Sequence, residues 1–172
     1  MKKAYVLIVA LVSVIGLSAV LLAQEKGEKK TIPDRGFMMQ AARDGVFHVE
    51  AGKLAVQRAS SEDVKKFGQH AIDHHTQMND ELSQLATKKG VTLPKKMGKK
   101  DQEALDKIAK LSGPEFDKAY LKMEIEHHSK DLPTFQKEAK DGKDPDVKAW
   151  AAKTISAIEE HLKMARDLST MK

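Results

Sequence analysis

Four stretches of the chain place apolar and small residues three and four positions apart, the spacing of an amphipathic helix. The first covers 37–59 and puts Met38, Ala41, Gly45, His48, Gly52, Ala55 and Ala59 on one face. The second opens at Ser60-Ser61-Glu62-Asp63, where Ser60 and Asp63 have capping-box spacing, and runs to Lys89 before Gly90. Its inner face carries Val64, Phe67, Ala71, His74 or His75, Met78, Leu82 and Leu85. The third starts at Ser112-Gly113-Pro114-Glu115, again with capping-box spacing, and its stripe is Leu121, Ile125, His128, Leu132, Phe135 and Ala139. Pro133 removes one hydrogen bond from its ladder and predicts a kink. Asp144-Pro145 starts the fourth, with Val147, Ala151, Thr154, Ile158, His161, Ala165 and Leu168 facing inward.

A shorter helix is expected from Asp101 to Leu111, inside the long connection between helices two and three. Four such stripes bury one another most naturally in an all-α four-helix bundle. The connection is long enough for a decorated turn or for a crossover along the bundle, and the pattern does not choose. Gly45 and Gly52 each weaken a helix by about 0.8–1 kcal/mol relative to Ala. Their place on the inner stripe predicts close approach by a neighbouring helix.

Ahead of the helices, Met1-Lys2-Lys3 is followed by an apolar run from Ala4 to Ala23. This is the pattern of a secretory signal peptide, and its length would also serve an uncleaved membrane anchor. Residues 24–36 are polar and read as a tether, which leaves 37–170 for the bundle. Either way the body leaves the cytoplasm, to a periplasmic or envelope location, with membrane association only through the N-terminal segment.

Composition narrows the chemistry. Aromatic residues are 5% of the 172 and hydrophobic ones 41%, a mix that suits helices packed by small aliphatic side chains better than a β core. Cysteine is absent, which excludes disulfides, zinc-thiolate sites, a cysteine nucleophile and a lipid-bearing cysteine. Any metal would be held by His, carboxylate or Met, which favours copper, zinc, iron or manganese. Lys88, Lys89, Lys95, Lys96, Lys99 and Lys100 form a basic cluster without an acid. With no aromatic residue interleaved, it reads as a solvated loop in preference to an anionic-surface site, and nucleic acid is not an expected partner.

The chain has seven histidines, and four of them fall in a repeat: Ile72-Asp73-His74-His75-Thr76 and Ile125-Glu126-His127-His128-Ser129. The stripes place His48, His75, His128 and His161 inward, one from each long helix. At about 1.5 Å of rise per residue, the first three lie near mid-helix and His161 roughly 6 Å beyond it. A buried imidazole needs partners for one donor and one acceptor, and an unpaired buried polar group costs about 1–3 kcal/mol. A metal would satisfy all four acceptors at once; a hydrated polar layer is the alternative. His74 and His127 face a flank. Glu124 and His127 have Glu-x-x-His spacing, and His70 and His74 are four apart, so these four are secondary candidates. Ala71 and Ile158 stand where a full pair of carboxylate-rich sites would need Glu. Met38, Met78 and Met123 would suit copper, but methionine at helical spacing is more often core.

Several short stretches also carry a resemblance: Gly52-Lys53-Leu54-Ala55, Val64-Lys65-Lys66-Phe67, Asn79-Asp80-Glu81-Leu82, Gly90-Val91-Thr92-Leu93-Pro94, Leu111-Ser112-Gly113, Phe116-Asp117-Lys118-Ala119-Tyr120 and Glu160-His161-Leu162. Through them the chain resembles, from Phe37 to Leu168, a bacterial exported family of unknown function in the ferritin-like superfamily, often labelled as outer membrane proteins. The resemblance implies a ferritin-like bundle outside the cytoplasm and brings no established reaction. It aligns the family's histidines with His75, His128 and His161. Where relatives tend to have Asp, this chain has His74 and His127, and where they have Glu in helix one it has His48.

The leading expectation is therefore an exported bundle that binds a copper, zinc or iron ion through His48, His75, His128 and His161, in metal handling or envelope stress. A non-metal structural or partner-binding domain with a polar histidine layer is the second class. A metal-dependent oxidoreductase is third, disfavoured by the missing carboxylates, and catalysis is not expected. Metal identity and oligomeric state are not readable from the chain.

Overall fold

The computed structural model describes residues 32–171. The expected signal or anchor segment and most of the tether lie outside them. Five helices follow one another: α1 (Arg35–Arg58), α2 (Glu62–Lys89), α3 (Lys99–Ile108), α4 (Gly113–Asp141) and α5 (Pro145–Thr170). No strand occurs among the described residues. All four long stripes became helices, and the short one begins two residues earlier than expected, with α1 taking Arg35 and Gly36 from the tether.

The ends show which local signals acted. Ser61, not Ser60, caps α2: its Oγ accepts from the Val64 N–H at 3.4 Å. Ser60 is engaged elsewhere, donating from its N–H (3.0 Å) and hydroxyl (2.6 Å) to Asp117 on α4. Ser112 makes no side-chain cap, so the expected box at α4 does not form, and Pro114 in the first turn carries that start. Asp144 does cap α5, accepting from Asp146 and Val147. Gly90 closes α2 at φ 70, with the Val91 N–H reaching Ala86 O at 2.8 Å and the Gly90 N–H reaching Thr87 O. This paired closure needs a left-handed residue, the conformation glycine takes at no steric cost. α4 continues through Pro133 as one helix.

Contacts at the helix ends decide the topology. The α1–α2 turn is tied to the start of α4 through Asp117, which also accepts from the Ser61 N–H at 2.9 Å. At the opposite end, Asp34 accepts from the N–H groups of Lys143 and Asp144 in the α4–α5 turn. Lys89, ending α2, pairs with Asp144 and Asp146 there at 2.7 Å each, so this lysine of the basic cluster does have acids beside it. α4 therefore begins at the end of the molecule opposite to where α2 stops. Residues 90–112 cross the length of the helices, and α3 on that crossover touches α1 and α4. α1 packs on α2, α4 on α5, α2 on α5 and α1 on α4, each pair antiparallel.

The α1–α2 pair is the closest. A Cβ at Gly52 would lie 2.6 Å from the Gly68 carbonyl oxygen, and one at Gly68 would lie 2.8 Å from the Ala55 Cβ. A Cβ at Gly45 would collide with Asn79. The close approach expected at Gly45 and Gly52 is present, with Gly68 as its counterpart on α2.

Two apolar clusters fill the interior. One gathers Phe47, Phe67, Phe116, Tyr120, Leu121 and Leu105. The other gathers Met38, Leu82, Phe135, Val147, Trp150 and Ile158. Each fully buried large side chain contributes about 1.5–3 kcal/mol. Between the clusters in chain position, on every long helix, sits a buried polar residue: His48, His75, His128, His161 and, beside them, Glu124.

Candidate metal centre

The four inward histidines meet in one layer. His48 and His75 stack with ring centroids 4.3 Å apart, His128 lies 4.3 Å from His48, and His161 lies 5.0 Å from His75 and 5.2 Å from His128. One nitrogen from each of His48, His75 and His128 falls within 4.8 Å of the others. His161 turns instead toward a second group, with His70 and His74, again within 4.8 Å. The offset expected for His161 along its helix corresponds to this position between two groups.

His48 is held by carboxylates from α4. Its Nδ1 is 3.0 Å from Glu124 Oε2 and its Nε2 3.4 Å from Asp131 Oδ2. Burial alone would lower its pKa, yet the two acids outweigh burial and hold it up at about 10. Both ring nitrogens are then N–H donors. Burial works against the Glu124 anion too, and His48 overcomes it, keeping Glu124 below the usual carboxylate range. Asp44, one turn before His48, is pushed up to about 7 by burial and by Asp131.

The other three inward rings are neutral. Burial, reinforced by the His48 charge, lowers His75 well below 6.5 and His128 to about 4. Burial and then His128 lower His161 to about 2. Their hydrogen bonds fix the tautomers. His128 Nδ1 is 3.1 Å from the Glu124 carbonyl, which only accepts, so Nδ1 carries the proton. His128 Nε2 must then accept from His161 Nδ1 at 3.1 Å, leaving the His161 Nε2 lone pair facing His74 Nδ1 at 3.2 Å.

Two donor atoms in this layer have no partner: His75 Nε2 and Glu124 Oε1 are both buried and make no hydrogen bond. Beside His75, though not reaching Glu124, lies a cavity of about 20 Å³ lined by Asp44, His48, His75, Met78, Asn79 and Asp131 among others, room for one water molecule or one ion. Met78 is the methionine at this cavity, whereas Met38 and Met123 belong to the apolar clusters.

The secondary candidates separate. Glu124 is fully buried and central. His70 and His74 join His161. His127 stacks on Phe47 at 4.0 Å, meets His48 edge-on at 5.9 Å, and lines the groove between α1, α3 and α4 without joining either histidine group. Asp44 and Asp131 were not among the candidates. The signal was present, since Asp44 is four residues before His48 and Asp131 three after His128, but acids one turn from a histidine are common on solvated faces.

A search of curated proteins yields no match. Among solved structures, the chain is similar to a DUF305 protein from Streptomyces coelicolor, described as secreted, with a TM-score of 0.67 and 16% identity over 78% of this chain and 90% of that one. At that identity the likeness concerns the fold alone. Residues 19–168 match the model of a domain of unknown function, DUF4142, and the chain, an all-helical protein with a buried histidine cluster, belongs to that family.

Proposed function

We propose that this chain is an exported four-helix bundle of ferritin-like topology that holds a transition metal in its histidine layer, in metal handling or envelope stress protection. Four antiparallel neighbouring pairs and a single long crossover are the features that support the ferritin-like reading. The basic head and apolar run at the N-terminus support export.

The observation that carries the metal is the pair of unpartnered donors, His75 Nε2 and Glu124 Oε1, in one buried layer with His48 and His128. Each orphan costs about 1–3 kcal/mol, a cost that coordination removes. His48, His75 and His128 would supply nitrogen and Glu124 oxygen, a donor set suited to zinc, copper or iron. Nitrogen ligands of a four-coordinate ion stand roughly 3.3 Å apart, given about 2.0–2.1 Å bonds, so the group closes by about an ångström on binding. The stacked His48 and His75 rings cannot both aim at one ion as they lie, so one of them turns. An ion there also replaces Glu124 or Asp131 at His48 and displaces its proton.

A polar layer without metal is the second reading, and the hydrogen bonds from Asp131 through His48 to Glu124, and from His128 through His161 to His74, favour it. The metal content of untagged protein, purified from its exported compartment without chelator, separates the two. Bound copper, zinc or iron, lost in His75→Ala, is the expected result. Absence of any transition metal, with no uptake when these ions are added, would leave only the polar layer.

A further inference from the structure

On the side of that buried layer where α2 meets α5, and sharing its His161, the structure places three nitrogens around a half-open position. His70 and His74 are one helical turn apart, with ring centroids 4.0 Å from each other. His161 reaches across from α5, its Nε2 3.2 Å from His74 Nδ1 and its ring 5.2 Å from that of His70. The preceding residue on α5, Glu160, brings Oε1 to 3.4 Å from His70 Nε2. That His70 nitrogen is buried and makes no hydrogen bond. We infer that His70, His74, His161 and Glu160 form a second metal site, an N3O set for a divalent cation such as zinc.

The orientation of His161 fits this role. A ligating histidine usually donates its other ring N–H to a fixed acceptor, which sets the tautomer. His161 donates from Nδ1 to His128 Nε2, so its Nε2, which accepts from His74 Nδ1 at 3.2 Å, is the lone pair that an ion would take over from that hydrogen bond. His74 carries its proton on Nδ1 and keeps Nε2 for a ligand.

Access also differs from the buried layer. The His70 side chain is 30% exposed and that of Glu160 52%, whereas His48 and His128 are at 1%. A surface groove of about 270 Å³ begins at His74 and Glu160 and is bordered by Glu81 and Gln77. Lys153 also lines the groove and pairs with Glu81 at 2.6 Å, so Glu160 is the acid left to attract a cation. A cation entering from solvent meets this site first, and it exchanges there faster than an ion in the interior.

Zinc titration with a competing chromophoric chelator at neutral pH tests the site, on full-length mature protein. The expected result is that H70Q/H74Q loses one equivalent of zinc relative to wild type, the one released fastest to excess chelator. His75→Ala, which removes none of the four ligands, keeps that equivalent. Glu160→Gln weakens it by about tenfold, the scale on which polar support around a metal acts. Equal stoichiometry and release rate in wild type and H70Q/H74Q would overturn the site, as would the absence of any zinc uptake by wild type. If zinc survives H70Q/H74Q but not His75→Ala, only the buried site exists; the reverse pattern leaves this one alone. His74→Gln, at a half-buried position, replaces the double variant if that fails to fold, and an unchanged affinity in it counts against the site.

Discussion

His48 is the residue on which the interior electrostatics turn. It is an imidazolium in a layer of neutral imidazoles because two α4 carboxylates face its two nitrogens. Removing one partner of a buried ion pair leaves an uncompensated charge, so Glu124→Ala should cost about 3–5 kcal/mol, while Glu124→Gln, which still accepts a hydrogen bond, should cost less. Urea unfolding of chelator-treated protein at neutral pH measures both. Equal stability of wild type and Glu124→Ala would mean that Asp131 alone suffices. Glu124 stood out in the chain because it has Glu-x-x-His spacing with His127. Asp131 and Asp44 did not, because nothing local says that their side of the helix is covered.

Among the elements, the α1–α2 contact is the most constrained. Gly52 and Gly68 let the two backbones approach so closely that a methyl group meets a carbonyl oxygen. Gly52→Ala gains about 1 kcal/mol of helix propensity. Separating the helices or bending them costs more where the obstacle is backbone, about 1–3 kcal/mol for overpacking of this kind. The variant should therefore melt lower than wild type, and a higher melting temperature in calorimetry would show that the helices part freely. The close approach also brings the α2 histidines near α1: His75 stacks on His48 across it. Helix spacing in the chain predicted that contact. Which serine caps α2 was not predictable, because Ser60 is drawn away by Asp117, distant in sequence.

At the scale of the whole molecule, the histidine layer gives the metal-free protein a stability maximum near neutral pH. His75, His128 and His161 have folded pKa values below the unfolded value of about 6.5. Their contribution is present above that pH and is lost as pH falls through about 4 for His128 and about 2 for His161. His48 has the opposite sign: its contribution is complete below about 6.5. It is lost as pH rises through about 10. Asp44, raised to about 7, opposes the acid-side trend, as one group against three. By proton linkage, the melting temperature of chelator-treated protein should fall on both sides of a maximum close to pH 6.5–7. A melting temperature that climbs steadily to pH 9 would contradict the charged state of His48. Of the four inward rings only His48 is held charged, because its acids come from another helix.

The chain by itself determined the five helices, their inward faces, the glycine contact and the presence of one inward histidine on each long helix. These are properties of residues three and four apart, which a helix places on one side whatever surrounds it. Only the tertiary structure decided the rest. The crossover depends on Asp117, Asp34 and Lys89 finding partners at particular ends of the molecule. The charge on His48 depends on Glu124 and Asp131, 76 and 83 residues away. His161 serves two histidine groups because α5 lies beside both α2 and α4, which brings His74 to its Nε2 and His128 to its Nδ1. The repeated Ile-acid-His-His-hydroxyl motif thus has two outcomes. On α2 the first histidine joins the open group and the second the buried one; on α4 the first packs on Phe47 and only the second reaches the layer. The same local pattern met different neighbours, and long-range packing assigned the roles.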